Sequence, residues 1–325
     1  MTVSPELNTF NISWVTSSEG SVKVVLAGGT GQVGRLLQRH LAGHDVVVVS
    51  RSDGVRWDGR TLGPWARELD GADVVINLAG RAVSCRYTQA HLDEMLRSRV
   101  DSACVLGRAI ALADRPPAVW LQMSTATIYA HTYGPPHDET GELGGTEENV
   151  PDYWAFSVRI AREWEQACLE THLPDTRRVL LRAAMVMTPD RGGVFDYLSW
   201  LARLGLGGPV AGGQQWVSWI HGDDFCRAVD HLVTSDLVGP VNVCAPAPIP
   251  QRELMRALRH EWHRPGLPAT RQMAELGAWV LRTDTELLLK SRRVIPQRLE
   301  RDGFSFEHPL WPAAAADLVR RRRAS

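Results

Sequence analysis

Gly28, Gly31 and Gly34 stand at three-residue spacing directly after the apolar run Val22-Lys23-Val24-Val25-Leu26-Ala27. Glycine lets the main chain approach a pyrophosphate closely. A helix opening at such a turn aims free N–H groups and a positive dipole end at the same phosphates. Gly28, Thr30, Gly31, Gln32, Val33 and Gly34 are therefore candidate residues for binding a dinucleotide. A second group lies far downstream: Gln215, Trp219 and His221, with Asp223 and Asp224 after them. His221 can act as acid or base near neutral pH, or serve as a hydrogen-bonded link between sheet and lobe. Trp216 and Trp219 can wall an apolar substrate pocket, or simply pack a core. Either aspartate suits a helix N-cap.

The elements needed to position these groups follow from the pattern of the chain. Strand-like and helix-like segments alternate from Val22 onward, as in a parallel sheet covered on both faces. Strands are expected at Val46–Ser50, Asp73–Asn77, Val119–Ser124, Arg178–Met187 and Val241–Val243. Helices are expected at Arg35–Leu41, from about Gln89 to Ala113, and at Tyr153–Leu169, Val194–Leu204 and Phe225–Thr234. The expected fold is α/β, a Rossmann-type doubly wound parallel sheet with a smaller, mainly helical C-terminal substrate lobe. Residues 1–20 read as an N-terminal extension. Residues 21–190 form the nucleotide domain, with 219–244 returning to it, and 191–218 and 245–325 form the lobe.

Composition excludes several classes of function. A net charge of -1 gives no reason to expect nucleic acid or an acidic surface as partner. No apolar run approaches the length of a membrane span. The first 20 residues lack the basic start and apolar stretch of a signal peptide. Five scattered cysteines (Cys85, Cys104, Cys168, Cys226, Cys244), with no C-x-x-C pair, suit a reducing cytoplasm and give no metal site. The Arg320–Arg323 run reads as a frayed, solvated tail, with an anionic contact as the alternative. The oligomeric state stays open, a homodimer included.

Several further blocks extend the glycine turn: Ser50-Arg51, Trp57-Asp58, Asn77-Leu78-Ala79-Gly80, Ser98-Arg99, Leu204-Gly205-Leu206-Gly207-Gly208, Gln215-x-x-x-Trp219-Ile220-His221 and Val294-Ile295-Pro296-Gln297-Arg298-Leu299. With them the chain resembles the extended short-chain dehydrogenase/reductases. It is closest to the atypical, epimerase-family branch of sugar-epimerase-like oxidoreductases. The resemblance runs from about Val22 to Ala315.

The resemblance implies a cofactor whose adenosine crosses the end of the second strand. An acid there would bind the ribose 2′-hydroxyl, but this strand ends Val49-Ser50-Arg51. Arg51 can fork onto a 2′-phosphate and Ser50 can add a hydroxyl, which favours NADP(H). The resemblance also places Asn77, Leu78 and Ala79, Glu94 and Arg99, and the main chain of Val186 against the cofactor. For Glu94 and Arg99 the alternative is an exposed helical charge.

Ordinary members of this superfamily use a Tyr-x-x-x-Lys pair for proton transfer. The five tyrosines here are followed four residues later by His91, Tyr133, His137, Ser157 and Leu201. The only lysines, Lys23 and Lys290, fall in other segments, so the pair is missing. Thr125 matches the carbonyl-binding position, while Tyr129 and Tyr153 are the candidate acids. Arg159 and Glu163 could imitate a Lys–Glu spacing, or form a plain i,i+4 ion pair. The leading expectation is an NADP(H)-dependent oxidoreductase acting on a small carbonyl or alcohol. An NADP-dependent epimerase or dehydratase and a non-catalytic NADP(H) sensor or scaffold are the alternatives.

Overall fold

The structure, a computed structural model, describes residues 21–82, 88–147, 150–268 and 289–324. The N-terminal extension, Cys85, Tyr87 and the 269–288 part of the expected lobe lie outside these residues.

Seven parallel strands form the main sheet. In chain order they are β1 (Lys23–Ala27), β2 (Asp45–Ser50), β3 (Val55–Arg56), β4 (Val74–Asn77), β5 (Val119–Thr125), β6 (Arg177–Ala183) and, after three short strands, β10 (Gly239–Val243). Across the sheet the order is β10-β6-β5-β4-β1-β2-β3. The order in which successive strands are added reverses between β1 and β4, the switch point beside which α/β folds bind ligands.

Successive side chains of a strand point to opposite faces, so both faces can be traced in the sequence. Val24, Leu26, Ile76 and Leu121 pack with Leu37 of α1 (Gln32–His40) and with Phe225 and Leu232 of α5 (Gly222–Thr234). Val25, Val75, Trp120 and Leu180 face the other way. They pack with Leu106 and Ile110 of α2 (Gln89–Ala111) and Trp164 of α3 (Asp152–Glu170). Burial on both faces explains why β1 and β4 are continuous apolar runs rather than alternating ones.

The predicted strand Arg178–Met187 is two strands. The Ala184 N–H turns to the Val243 carbonyl, and β7 (Met185–Met187) leaves the main sheet to pair with β9 (Trp219–His221). A separate pair joins β8 (Trp216–Val217) to β11 (Ile249–Pro250). Over these lies a third apolar cluster, in which Met187 and Trp219 meet Phe195, Leu254, Leu258, Trp311 and Leu318. Its helices are α4 (Val194–Arg203), α6 (Gln251–Trp262) and α8 (Trp311–Ala324); a short α7 (Gln297–Arg301) precedes α8.

The arginine run is part of α8 rather than a frayed tail. Arg321 pairs with Asp223 at 2.7 Å, Arg322 with Asp196 at 2.5 Å, and Arg320 with Asp317. Helical spacing spreads the four cations around the axis, so several acids can be reached at once.

Candidate functional site

The glycine turn is built as its spacing implied. Gly28 has φ +77°, and a Cβ there would lie 2.7 Å from the Ala79 main chain. A Cβ on Gly34 would fall 2.2 Å from the Gly29 carbonyl oxygen. These two glycines serve internal packing. Gly31 differs: a Cβ would meet nothing closer than 3.8 Å, and the residue is exposed at the uncapped start of α1. A side chain there would project into open space beside the first turn of α1. Gln32 fastens the turn to the loop after β7, donating to the Thr188 hydroxyl at 2.7 Å.

A cleft runs from this turn along the C-terminal ends of the strands. Gly28, Gly31, Gln32, Val33 and Gly34 line one end, and Thr125, Thr127, Ser157, Ser218 and Arg292 the other. Leu78, Arg99, Trp164 and Val186 lie between. Arg99 sits 5.1 Å over the Trp164 ring and donates to the Met95 carbonyl at 3.0 Å. A cavity of about 1000 Å³ shares Gln32, Arg99 and Met185 with the cleft. It extends toward Tyr197, Trp200, Leu254 and Met255.

Other predicted residues support the cleft from behind. Asn77 is fully buried; its amide donates to Gln122 at 2.9 Å and its carbonyl oxygen accepts from the Ala79 N–H at 3.0 Å. That bond shapes the Leu78–Ala79 turn, which abuts Gly28. The Ser50 hydroxyl closes its own loop, accepting from the Asp53 N–H at 2.8 Å and donating to the Asp53 carbonyl, so it offers little to a ligand. Arg51 is exposed at the end of β2. Glu94 is half-buried and pairs with Arg81. Arg159 and Glu163 form an exposed i,i+4 pair at 3.5 Å.

Tyr129 is not a group facing the cleft. It is buried, donates to Asn242 at 2.7 Å and accepts from Arg182 at 3.0 Å. Burial pushes its pKa up to about 12 despite the nearby Arg182. Tyr153 begins α3, but its side chain lies outside the described residues. Thr125 does face the cleft. Its hydroxyl lies 3.1 Å from that of Thr127 and accepts from the Thr127 N–H at 3.1 Å.

Gln215, Trp219 and His221 do not line the cleft or the cavity. All three are buried. Gln215 donates to the Val210 carbonyl at 3.3 Å. Trp219 packs edge-on against Trp311, their rings 4.9 Å apart, and donates to the Ala247 carbonyl. His221 caps α5: its Nδ1 accepts the Asp223 N–H, and Nε2 lies 3.3 Å from an Asp317 carboxylate oxygen. Its ring stacks on His308 at 3.8 Å. His221, His308 and Asp317 lie close enough to suggest a metal set. However, an Nδ1 that accepts a backbone N–H leaves the proton on Nε2, the reverse of what metal ligation by Nε2 needs. The block is a brace between sheet and lobe.

Two groups escaped the sequence reading. Lys290, distant in the chain from any tyrosine, is buried with its ammonium 3.2 Å from the Thr127 carbonyl. Arg292, two residues on, lines the cleft. Both stand beside the Val294-Ile295-Pro296 block, which was the signal available for them.

Residues 24–244 match the model of the NAD dependent epimerase/dehydratase family. The chain belongs to that family. Residues 276–318 match a domain of unknown function, DUF1731. Among epimerase-family relatives, the bovine epimerase family protein SDR39U1 is 32% identical over 92% of this chain and 100% of its own length. The human protein is 30% identical over the same shares, 92% and 100%. The crystal structure of human SDR39U1 (isoform 2) with NADPH superposes with a TM-score of 0.79 at 26% identity, covering 92% of this chain and 99% of that one. A nucleoside-diphosphate sugar epimerase from Corynebacterium glutamicum gives 0.71 at 26% identity, over 91% of this chain and 58% of that one. Among the described residues, no helix is long and apolar enough to cross a membrane.

Proposed function

We propose that this protein is an NADP(H)-dependent oxidoreductase that reduces a small carbonyl compound in the cleft. The observation that carries this is one continuous cleft joining the glycine turn to the Thr125–Thr127 hydroxyl pair. The residues present fit the cofactor. Gly31 leaves room for a pyrophosphate, the N-terminal N–H groups of α1 suit its charge, and exposed Arg51 suits a 2′-phosphate. The human relative solved with NADPH supports the same choice.

Bound NADPH supplies a hydride. The protein supplies orientation, which is a large part of such a barrier. Thr125 and Thr127 hold the carbonyl oxygen by hydrogen bonds that strengthen as it gains negative charge. The carbonyl carbon receives the hydride and its electron pair, and the oxygen receives a proton relayed through these hydroxyls from water. The products are the alcohol and NADP+. Apart from two arginines, the described lining of the cleft carries no titratable side chain. That favours reduction over epimerase chemistry, which needs a base to take up a substrate proton. The test is NADPH oxidation with a panel of aldehydes and ketones. Tight NADPH binding with no turnover of any member would overturn the oxidoreductase reading in favour of a sensor.

A further inference from the structure

We propose that the carbonyl substrate is apolar: a ketone or aldehyde whose alkyl or aryl body lies in the cavity between α4 and α6, rather than a sugar nucleotide. This names the substrate class of the site above and rests on the carbonyl-reductase reading of the cleft.

The cavity of about 1000 Å³ opens off the cleft, the two sharing Gln32, Arg99, Met185 and Val194. A space of this size takes a drug-sized body. Its walls come from three places. Met185 of β7 and Val217 of β8 supply one, Leu254 and Met255 of α6 the second, and Tyr197 and Trp200 of α4 the third.

The third wall is the informative one. α4 already buries Phe195 and Ala202 in the apolar cluster of the lobe. Tyr197 and Trp200, three residues apart and so on one face, pack on each other instead, with ring centroids 6.1 Å apart and planes 29° apart. Among the described residues neither ring joins that cluster. Trp200 is 44% exposed. Burial raises the Tyr197 phenol above its ordinary pKa, the mark of a poorly hydrated setting. Beyond Trp200 the apolar surface continues through exposed Leu204, Leu206 and Leu267, the last tied to the Gly205 carbonyl by its N–H at 2.8 Å. A soluble helix normally buries its apolar faces, and apolar surface left open marks a binding site. Here that surface lines a cavity continuous with the reacting end of the cleft. With the carbonyl oxygen on Thr125 and Thr127, the body of the substrate passes Met185 and covers it.

Several polar side chains of the lining are engaged within the protein. Gln32 donates to Thr188, and Gln251 accepts from the Val210 N–H at 3.1 Å and donates to the Gly208 carbonyl at 3.3 Å. Arg322 pairs with Asp196 and Arg81 with Glu94, while Arg203 lies 5.1 Å over the Trp262 ring. The hydroxyls and phosphates of a sugar nucleotide would have to break such contacts or go unpaired, and either weakens binding. An alkyl or aryl body leaves them intact.

The experiment follows NADPH consumption with butanal, hexanal and octanal, and with benzaldehyde against 2-naphthaldehyde. In parallel, calorimetry measures binding of butanamide, hexanamide and octanamide, which are not reduced, to the NADP+-loaded protein, with UDP as a competitor. A buried methylene is worth up to about fourfold. The expected result is therefore a rise of about two- to fourfold in kcat/KM per added methylene, preference for the naphthyl over the phenyl aldehyde, and a parallel rise in amide affinity. Tyr197→Ala with Trp200→Ala should flatten both series, octanal losing at least fivefold more than butanal. The wild-type series needs no variant to fold. A flat wild-type series overturns the proposal, even if every aldehyde is reduced. Displacement of octanamide by UDP, or an unchanged slope in the double variant, also overturns it. Amide affinity that rises with chain length, without reduction of any aldehyde, upholds the apolar site while removing the reductase reading.

Discussion

Arg182 and Glu165 meet as a two-pronged pair beneath the cleft, Nε to Oε1 and Nη2 to Oε2, each at 2.9 Å. Both side chains are at least nine-tenths buried. Glu165 also accepts from the Ser124 hydroxyl at 2.6 Å, and Arg182 donates to Tyr129, which donates to Asn242. The chain of bonds ties β5, β6, α3 and β10 together where the sheet carries Thr125. Removing one partner strands the other's charge, typically at a cost of about 3–5 kcal/mol. Glu165→Leu should therefore lower stability by that order in urea unfolding, and Tyr129→Phe by about 1–2 kcal/mol. A change below 1 kcal/mol for Glu165→Leu would contradict this account of the network.

The three glycines should separate in experiment. Gly28→Ala and Gly34→Ala force a Cβ into main-chain atoms and should reduce thermal stability or soluble yield. Gly31→Val should fold normally and weaken NADPH binding by tenfold or more, because a Cβ there meets no protein atom closer than 3.8 Å and stands beside the N-terminal N–H groups of α1. Fluorescence titration with NADPH, alongside thermal melts, distinguishes the two classes.

Arg51→Gln should lower affinity for NADPH by roughly 10- to 100-fold while leaving NADH affinity nearly unchanged, a loss of about 1.5–3 kcal/mol for a charge-assisted contact. Equal losses for both cofactors would place the 2′-phosphate elsewhere.

Thr125→Val removes a hydroxyl from the carbonyl site but preserves shape. The expected result is a fall of about 10²-fold in kcat/KM with unchanged NADPH affinity. Thr125→Ser should restore most of the rate. An unchanged rate in the valine variant would assign carbonyl binding to another group.

His221 gives a pH dependence. Burial lowers its pKa to about 4, and the neighbouring His308 adds to the effect. The unfolded chain, with an ordinary histidine pKa near 6.5, binds this proton more readily than the folded one. Stability should thus fall as pH drops from about 6.5 toward 4. His131, also lowered by burial, contributes in the same direction. His40, raised by its bond to Asp230, opposes them. His221→Asn can still cap α5 and should flatten the decline in melting temperature across this range. An identical slope in the variant would show that His221 does not carry the effect.

Local pattern made most of the fold legible. Apolar runs and glycine spacing marked β1, α1, β2, β4 and β5 close to their observed limits. The break at Ala184 was not visible, because β6 and β7 read as one apolar run and only the choice of partner strand divides them. In the site, the turn and Thr125 could be read from neighbours in sequence. The roles of Tyr129 and His221 could not, since burial by distant segments turned candidate acids into structural braces.

By itself, the sequence determined that a dinucleotide-type turn opens a doubly wound sheet and that no Tyr-x-x-x-Lys pair stands on one helix. Short-range spacing and periodicity carry that information. Only the tertiary structure brought Lys290 to the Thr127 carbonyl and Arg292 into the cleft, across more than 160 residues of chain. Which distant side chains share one buried space depends on how the last segments pack over the strand ends. No local pattern records that.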